Sequence, residues 1–175
     1  MRNILIVIDM QKDFIDGSLG TKEAEAIVDA VVEKIKTYDP KDVFATMDTH
    51  EGNYLETQEG KNLPVEHCIK GTPGWEINEK IAPLIKPENI FEKPTFGSIN
   101  LANKMKELAD KEEISIELLG LCTDICVVSN ALLLKAYMPE VPIKVDCTCC
   151  AGVTPEKHKA SLETLQSCQV QVVGM

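Results

Sequence analysis

The sequence predicts a single α/β domain, built on a doubly wound, mostly parallel six-stranded sheet with helices on both faces. Three observations carry this expectation. Short apolar runs alternate with helix-patterned segments along nearly the whole chain. The runs are continuously apolar rather than alternating, as expected of strands covered on both faces. The 175 residues show no repeat, low-complexity tract or linker, which fits one core spanning residues 1–175.

The first strand is expected at Asn3 to Asp9, where NILIVI is apolar almost without interruption. Further strands are expected at Asp42 to Asp48, Asn89 to Glu92, Ile114 to Gly120, Pro142 to Asp146 and Gln169 to Val173. Apolar residues recur at helical spacing in Lys22 to Thr37, Asn100 to Asp110, Asp124 to Tyr137 and Pro155 to Gln166. Pro155 suits a helix start, where its missing N–H is not needed. A shorter helical turn is expected within Glu76 to Leu84. Between the second and third strands lies Thr49 to Gly74, rich in Gly, Pro, Asn and Thr and carrying two of the three histidines. A loop this long inside a compact domain points to function.

Composition excludes several classes. A net charge of −10 argues against a nucleic-acid or anionic-membrane partner, since both require a positive field. No apolar run approaches the roughly 18 residues of a membrane span. The apolar part of MRNILIVIDM is too short, and too soon followed by Asp9, for a signal peptide. Seven cysteines, an odd number, predict free thiols in a reducing cytosol and hence a cytoplasmic protein.

The run GLCTDICVVSNAL, Gly120 to Leu132, is the most informative. It places Cys126 in the first turn of a helix behind a buried strand, with Thr123 as N-cap and Asp124 in the first turn. Free N–H groups and the positive end of the helix dipole lower a thiol pKa and offer donors to an oxyanion. The run alone leaves two readings open, a nucleophile mount or a buried core cysteine.

Ligands of open parallel sheets bind beyond the carboxyl ends of the strands. Those ends carry Asp9, Asp48, Lys93 and, after the fourth strand, Cys126. Singly, Asp9 could cap a turn and Lys93 could be solvated. Together they place two acids, a lysine and a cysteine on one edge.

The chain resembles the isochorismatase-like cysteine hydrolases, and among them the nicotinamidases. The resemblance rests on IVIDMQKDF (Ile6 to Phe14), MDTH (Met47 to His50), HCIKGTPGWEI (His67 to Ile77), FEKPTFGS (Phe91 to Ser98), GLCTDICV (Gly120 to Val127) and the late DCTC and TPEKHKASLETL. It implies an isochorismatase-like hydrolase fold and a catalytic triad of Asp9, Lys93 and Cys126. Cys126 would be the nucleophile, Asp9 the general base, and Lys93 the cation that holds Asp9 and favours the thiolate. It also implies a non-proline cis bond at Leu121–Cys122 that aims the backbone N–H groups of Cys122 and Cys126 into an oxyanion hole. Cys122 is then a backbone contributor rather than half of a redox pair.

The same resemblance implies a divalent metal ion, Zn²⁺, Fe²⁺ or Mn²⁺, held by Asp48, His50 and His67. Family members supply a further histidine where this chain has only carboxylates. Glu59 is the best positional match and Glu56 the second. A carboxylate hardens the site toward Mn²⁺ or Fe²⁺. The plainer reading is that His50 and His67 merely hydrogen-bond the loop together. Phe14, Leu19 and Trp75 are expected to line the substrate pocket, whereas LPVE before His67 lacks the aromatic residue common there in the family. His158 reads as part of an amphipathic helix start. Cys147, Cys149 and Cys150 have no second half for a thiolate metal site, and Cys68 and Cys168 read as packing residues. The implied function is hydrolysis of nicotinamide to nicotinate and ammonia through a Cys126 thioester, in NAD salvage, with a small-molecule amide as substrate and a homo-oligomer as assembly. A related small-amide or ureido hydrolase, or a non-catalytic metal- or ligand-binding module, remain as alternatives.

Overall fold

A computed structural model describes residues 1–175. Six strands form one sheet in the order β3-β2-β1-β4-β5-β6, and every pairing is parallel. The strands are β1 (Arg2–Ile8), β2 (Val43–Asp48), β3 (Ile90–Lys93), β4 (Ile114–Leu121), β5 (Ile143–Ala151) and β6 (Gln171–Val173). The helices are α1 (Lys12–Ile15), α2 (Lys22–Lys36), α3 (Gln58–Asn62), α4 (Ile99–Ala109), α5 (Val128–Tyr137) and α6 (Pro155–Ser167). From β1 the chain winds outward one way to β2 and β3; after β3 it crosses back and winds the other way through β4, β5 and β6. Right-handed crossovers therefore put α2 on one face and α4, α5 and α6 on the other.

The sheet centre explains the apolar runs. Ile4, Leu5, Ile6, Val7 and Ile8 of β1 are all buried, as are Ile116, Leu118 and Leu119 of β4. Helix starts follow local chemistry: the side chains of Thr21, Ser98 and Thr154 cap α2, α4 and α6 by accepting from the N–H groups of Ala24, Leu101 and Lys157.

Winding direction reverses between β1 and β4, and a topological switch of this kind opens a crevice at the strand carboxyl ends. Register fixes what lies there. Ile8 pairs with Gly120, so Asp9 and the segment after Leu121 emerge side by side, while Asp48 pairs directly with Lys93. Gly120 has φ +117°, and a Cβ there would stand 2.2 Å from the Ile8 carbonyl oxygen. Only glycine lets β1 and β4 approach this closely beneath the crevice.

Three expectations need correction. Strand β5 runs on to Ala151 rather than ending at Asp146: Cys149 and Cys150 pack as small buried hydrophobes, and Lys34 neutralises Asp146 at 2.6 Å. The α5 helix begins at Val128, after a wide turn over Thr123–Val127 in which the Val127 N–H reaches back to the Cys122 carbonyl at 3.1 Å. The helical turn expected around Glu76 to Leu84 is present but confined to Ala82–Leu84, with a second at Pro73–Trp75 and Ile77 bridged to Gln11 between them. Cys168 is exposed at the end of α6.

No helix is long and apolar enough to cross a membrane. Replacing Gly120 by alanine combines a positive φ with a clash against β1 backbone. It is expected to lower stability by about 2 kcal/mol or more, read by urea denaturation as a drop in midpoint at unchanged slope.

Candidate active site

Asp9 leaves β1 in a left-handed conformation, φ 45°, which aspartate tolerates better than most residues. The turn buries its carboxylate completely. Oδ1 accepts a 2.6 Å hydrogen bond from the Thr46 hydroxyl on β2. Oδ2 stands 2.7 Å from the Lys93 ammonium, an ion pair with both partners buried.

Lys93 is itself only 2% exposed. Its ammonium also reaches the Cys126 sulfur at 3.4 Å, Asp48 Oδ1 at 3.3 Å and the Thr95 carbonyl at 3.0 Å. Burial opposes its charge, yet Asp9, Cys126 and Asp48 together hold its pKa above the usual lysine value. Burial raises both acids that face it. The Asp9 carboxyl is pushed up by desolvation against the pull of Lys93, and the Cys126 thiol is pushed well up by desolvation and then by Asp9. Two buried acids beside one cation share one proton, which can sit on sulfur or on Oδ2 without changing the charge of the group.

The wide turn after β4 presents Cys126 toward this cation. The Leu121–Cys122 bond is cis, and the Cys122 N–H has no acceptor within the chain. Asn130, fully buried, donates to the carbonyls of Cys126 (2.8 Å) and Phe96 (3.0 Å) and accepts from the Ser98 N–H. It ties the loop after Lys93 to the cysteine turn. Gln11 does the same on the other side: its amide accepts from Asp48 N–H and donates to the carbonyls of Asp48 and Trp75.

Beside the trio, Asp48, His50, Glu59 and His67 bring one donor atom each to within 4.8 Å of all the others. Asp48 Oδ2 lies 2.9 Å from His50 Nε2 and 3.5 Å from His67 Nε2; Glu59 Oε1 lies 3.6 and 3.7 Å from the same two nitrogens. Ligands about 2.1 Å from a common ion stand roughly 3.0–3.4 Å apart, so the set fits a divalent transition metal with little movement. Its oxygen and nitrogen donors suit zinc, iron or manganese. Burial would raise the Asp48 carboxyl, but hydrogen bonds from His50 and His67 and the charge on Lys93 hold it well below the usual carboxylate range, ready to ligate. The His67 Nδ1 donates to the Val65 carbonyl at 2.8 Å, so Nε2, which faces Asp48, is the atom that would ligate an ion once it gives up its proton. Tyr54, fully buried, packs its ring against both histidines, with centroids 4.7 and 5.0 Å away. Glu59, on α3, enters the cluster, and Glu56 does not.

Both groups open onto one cavity of about 260 Å³. Asp48, Glu59 and His67 line one side, Cys122 and Cys126 another, and Phe14, Leu19 and Phe96 supply apolar walls. Phe14 stacks obliquely on His67, centroids 5.5 Å apart. Trp75 does not reach this cavity. Its indole N–H donates to the Thr49 hydroxyl, and Gln11 holds its carbonyl, turning the ring outward beneath Lys70. Sequence reasoning did not single out Phe96, Tyr54, Gln11 or Asn130. Phe96 lies within the K-x-x-F-G-S motif, and that position was the available signal.

The isochorismatase domain model matches residues 3–175. The chain belongs to the isochorismatase family. A curated relative, an uncharacterised isochorismatase family protein called PncA from Bacillus subtilis, is 30% identical over 93% of each chain. A crystal structure of nicotinamidase/pyrazinamidase PncA from Bacillus subtilis superposes with a TM-score of 0.82 at 27% identity, covering 99% of this chain and 100% of that one. A pyrazinamidase of Pyrococcus horikoshii, solved in complex with zinc, shares the fold at a TM-score of 0.80 and 24% identity, each chain covered completely.

Two outcomes test the site directly. Glu59→Gln is expected to weaken Co²⁺ binding at least about tenfold by equilibrium dialysis, and Glu56→Gln to leave it unchanged. Lys93→Met removes the cation facing the sulfur. It is expected to slow alkylation of Cys126 by iodoacetamide at pH 8 by about tenfold or more, followed by mass spectrometry.

Proposed function

We propose that this protein is a metal-dependent cysteine amidohydrolase that converts nicotinamide to nicotinate and ammonia. The observation that carries the reading is the Lys93 ammonium, seated between Asp9 and Cys126 at 2.7 and 3.4 Å, with Cys126 lining one cavity together with Asp48, Glu59 and His67 of the four-donor cluster. The likeness to a nicotinamidase/pyrazinamidase over essentially the whole chain supports the choice of substrate.

In this reading Asp9 takes the Cys126 proton as the sulfur attacks the carboxamide carbon, and Lys93 stays charged beside both. The developing oxyanion faces the backbone N–H groups of Cys122 and Cys126, donors that need not reorganise when charge appears. Asp9 returns its proton to the departing nitrogen, so ammonia leaves and a thioester on Cys126 remains. Water then enters, Asp9 removes its proton, and hydroxide adds to the thioester. Collapse releases nicotinate, and the proton on Asp9 goes back to the sulfur. A divalent ion held by Asp48, His50, Glu59 and His67 would supply Lewis acidity to orient the pyridine nitrogen. Phe14, Leu19 and Phe96 form apolar walls for the ring, and a cavity of about 260 Å³ suits a single small heterocycle.

Ammonia release from nicotinamide, measured with and without chelator and with the Cys126→Ala variant, tests the proposal. Release that is abolished by chelator and lowered at least about 10³-fold by the substitution is expected. Release only from other small amides or ureides would replace the substrate. No turnover of any amide by metal-loaded protein would leave a binding module.

A further inference from the structure

The second acid of IVIDMQKDF, Asp13, neither joins the four-donor cluster nor lines the cavity. It sits on α1, one residue before Phe14, and its carboxylate meets the segment that carries His67. Oδ2 accepts from the Cys68 N–H at 2.8 Å. That N–H belongs to the peptide joining His67 to Cys68. At the other end of the same residue, the Cys68 carbonyl accepts from the His50 N–H at 2.9 Å, and the His50 carbonyl accepts from the Lys70 N–H at 2.8 Å. The two histidines are thus tied through the backbone of Cys68, and Asp13 anchors the end next to His67. Cys68 needs such a hold. It is fully buried with φ 46°, a left-handed conformation that a residue with a side chain keeps only where its surroundings enforce it. The loop after α1 adds a second tie, since the Ser18 hydroxyl donates to the Glu66 carbonyl at 3.1 Å. Gly74 leaves the room that the carboxylate fills: a Cβ there would stand 2.2 Å from Asp13 Oδ1 and 2.3 Å from Oδ2.

We propose that Asp13 is a positioning residue for the metal ion: by holding the His67–Cys68 peptide, it sets where His67 Nε2 stands relative to Asp48, His50 and Glu59. It touches neither the ion nor the substrate. Helix α1 then serves the site twice, with Phe14 against the His67 ring and Asp13 on the His67 backbone. The inference rests on reading the four-donor cluster as a metal site, and not on which amide is hydrolysed.

The test is Co²⁺ binding to the apoprotein without substrate, followed by equilibrium dialysis and by the visible d–d spectrum of the bound ion. Asp13→Ala is expected to weaken binding about tenfold or more, as for other residues that orient a ligand, and to change the spectrum as His67 shifts. Asp13→Asn keeps an oxygen acceptor at the same reach and is expected to retain most of the affinity and the wild-type spectrum. Gly74→Ala displaces the carboxylate without removing it. It is expected to weaken binding in the wild-type background and to add nothing to Asp13→Ala, because both act through one carboxylate. Wild-type affinity and spectrum in Asp13→Ala overturn the proposal. So does Asp13→Asn binding as weakly as Asp13→Ala, or losses from Gly74→Ala and Asp13→Ala that simply add. If Asp13→Ala does not fold, Gly74→Ala decides alone: weakened binding by folded protein supports the proposal, and wild-type affinity sinks it. Wild-type protein that binds no Co²⁺ would overturn the metal reading itself, and this inference with it.

Discussion

Lys93 carries its charge into a place where water cannot follow, and the candidate site is organised around that fact. A buried ammonium is tolerated only when anions and carbonyls replace its hydration. Here Asp9, Asp48, the Thr95 carbonyl and the Cys126 sulfur do so, all within 3.4 Å. Remove the cation and two carboxylates lie buried near each other without the positive charge they share. Asp9, already raised by burial, would take a proton outright. Asp48 would lose one of the three partners that keep it anionic. The cation thus links two chemistries: Asp48 offers Oδ1 to Lys93 and Oδ2 to the histidines, so the metal cluster and the cysteine trio share one carboxylate.

The sheet is what makes such a meeting possible. Asp9, Asp48, Lys93 and Cys126 are spread over more than a hundred residues of chain, yet each leaves a strand at the same edge. Parallel pairing brings Asp48 opposite Lys93, and the reversal of winding between β1 and β4 separates the walls enough to leave a cavity. The remaining alignment comes from neutral side chains acting on backbone. Gln11 grips both polar groups of the Asp48 peptide, and Asn130 spans the loop after Lys93 and the turn at Cys126. Such contacts cost little charge burial and hold the reacting groups by their main chain.

How far the sequence discloses this arrangement follows from what each residue does. The buried strands are legible because both faces are covered, so NILIVI reads as one apolar run. The reactive residues are legible because their side chains are unusual at strand ends. Glu59 could be preferred over Glu56 only by its position in the loop, and the fold puts it on α3 facing the histidines. The second half of β5 was hidden because Asp146, Thr148 and three cysteines look like a strand end until Lys34 and the core account for them. Tyr54 and Gln11 were hidden for another reason. Their partners lie far along the chain or across a loop, and no local pattern announces a ring that supports two histidines or an amide that clamps a distant peptide. Trp75 shows the converse error: an aromatic residue near a site is not thereby in it, because a backbone tether decides which way its ring faces.

The start of α5 shows local preference yielding to chemistry. A threonine cap is worth about 1 kcal/mol to a helix, and the sequence places one where a regular helix would use it. The chain instead forms a wide turn in which the Cys122 carbonyl accepts from both Ile125 and Val127, the Thr123 hydroxyl meets His158, and the Cys122 N–H is left without an acceptor in the chain. Unpartnered donors beside a nucleophile are unfavourable in the resting protein and favourable only when negative charge develops near them. The same holds for the thiol, whose ionisation burial opposes. Both features lower resting stability in return for complementarity to a charged, short-lived state, the pattern expected where function rather than folding sets the local structure. Segment 152–158 makes that pattern persist. Val153 and His158 brace two successive residues of the turn, Asp124 and Thr123, from a separate element.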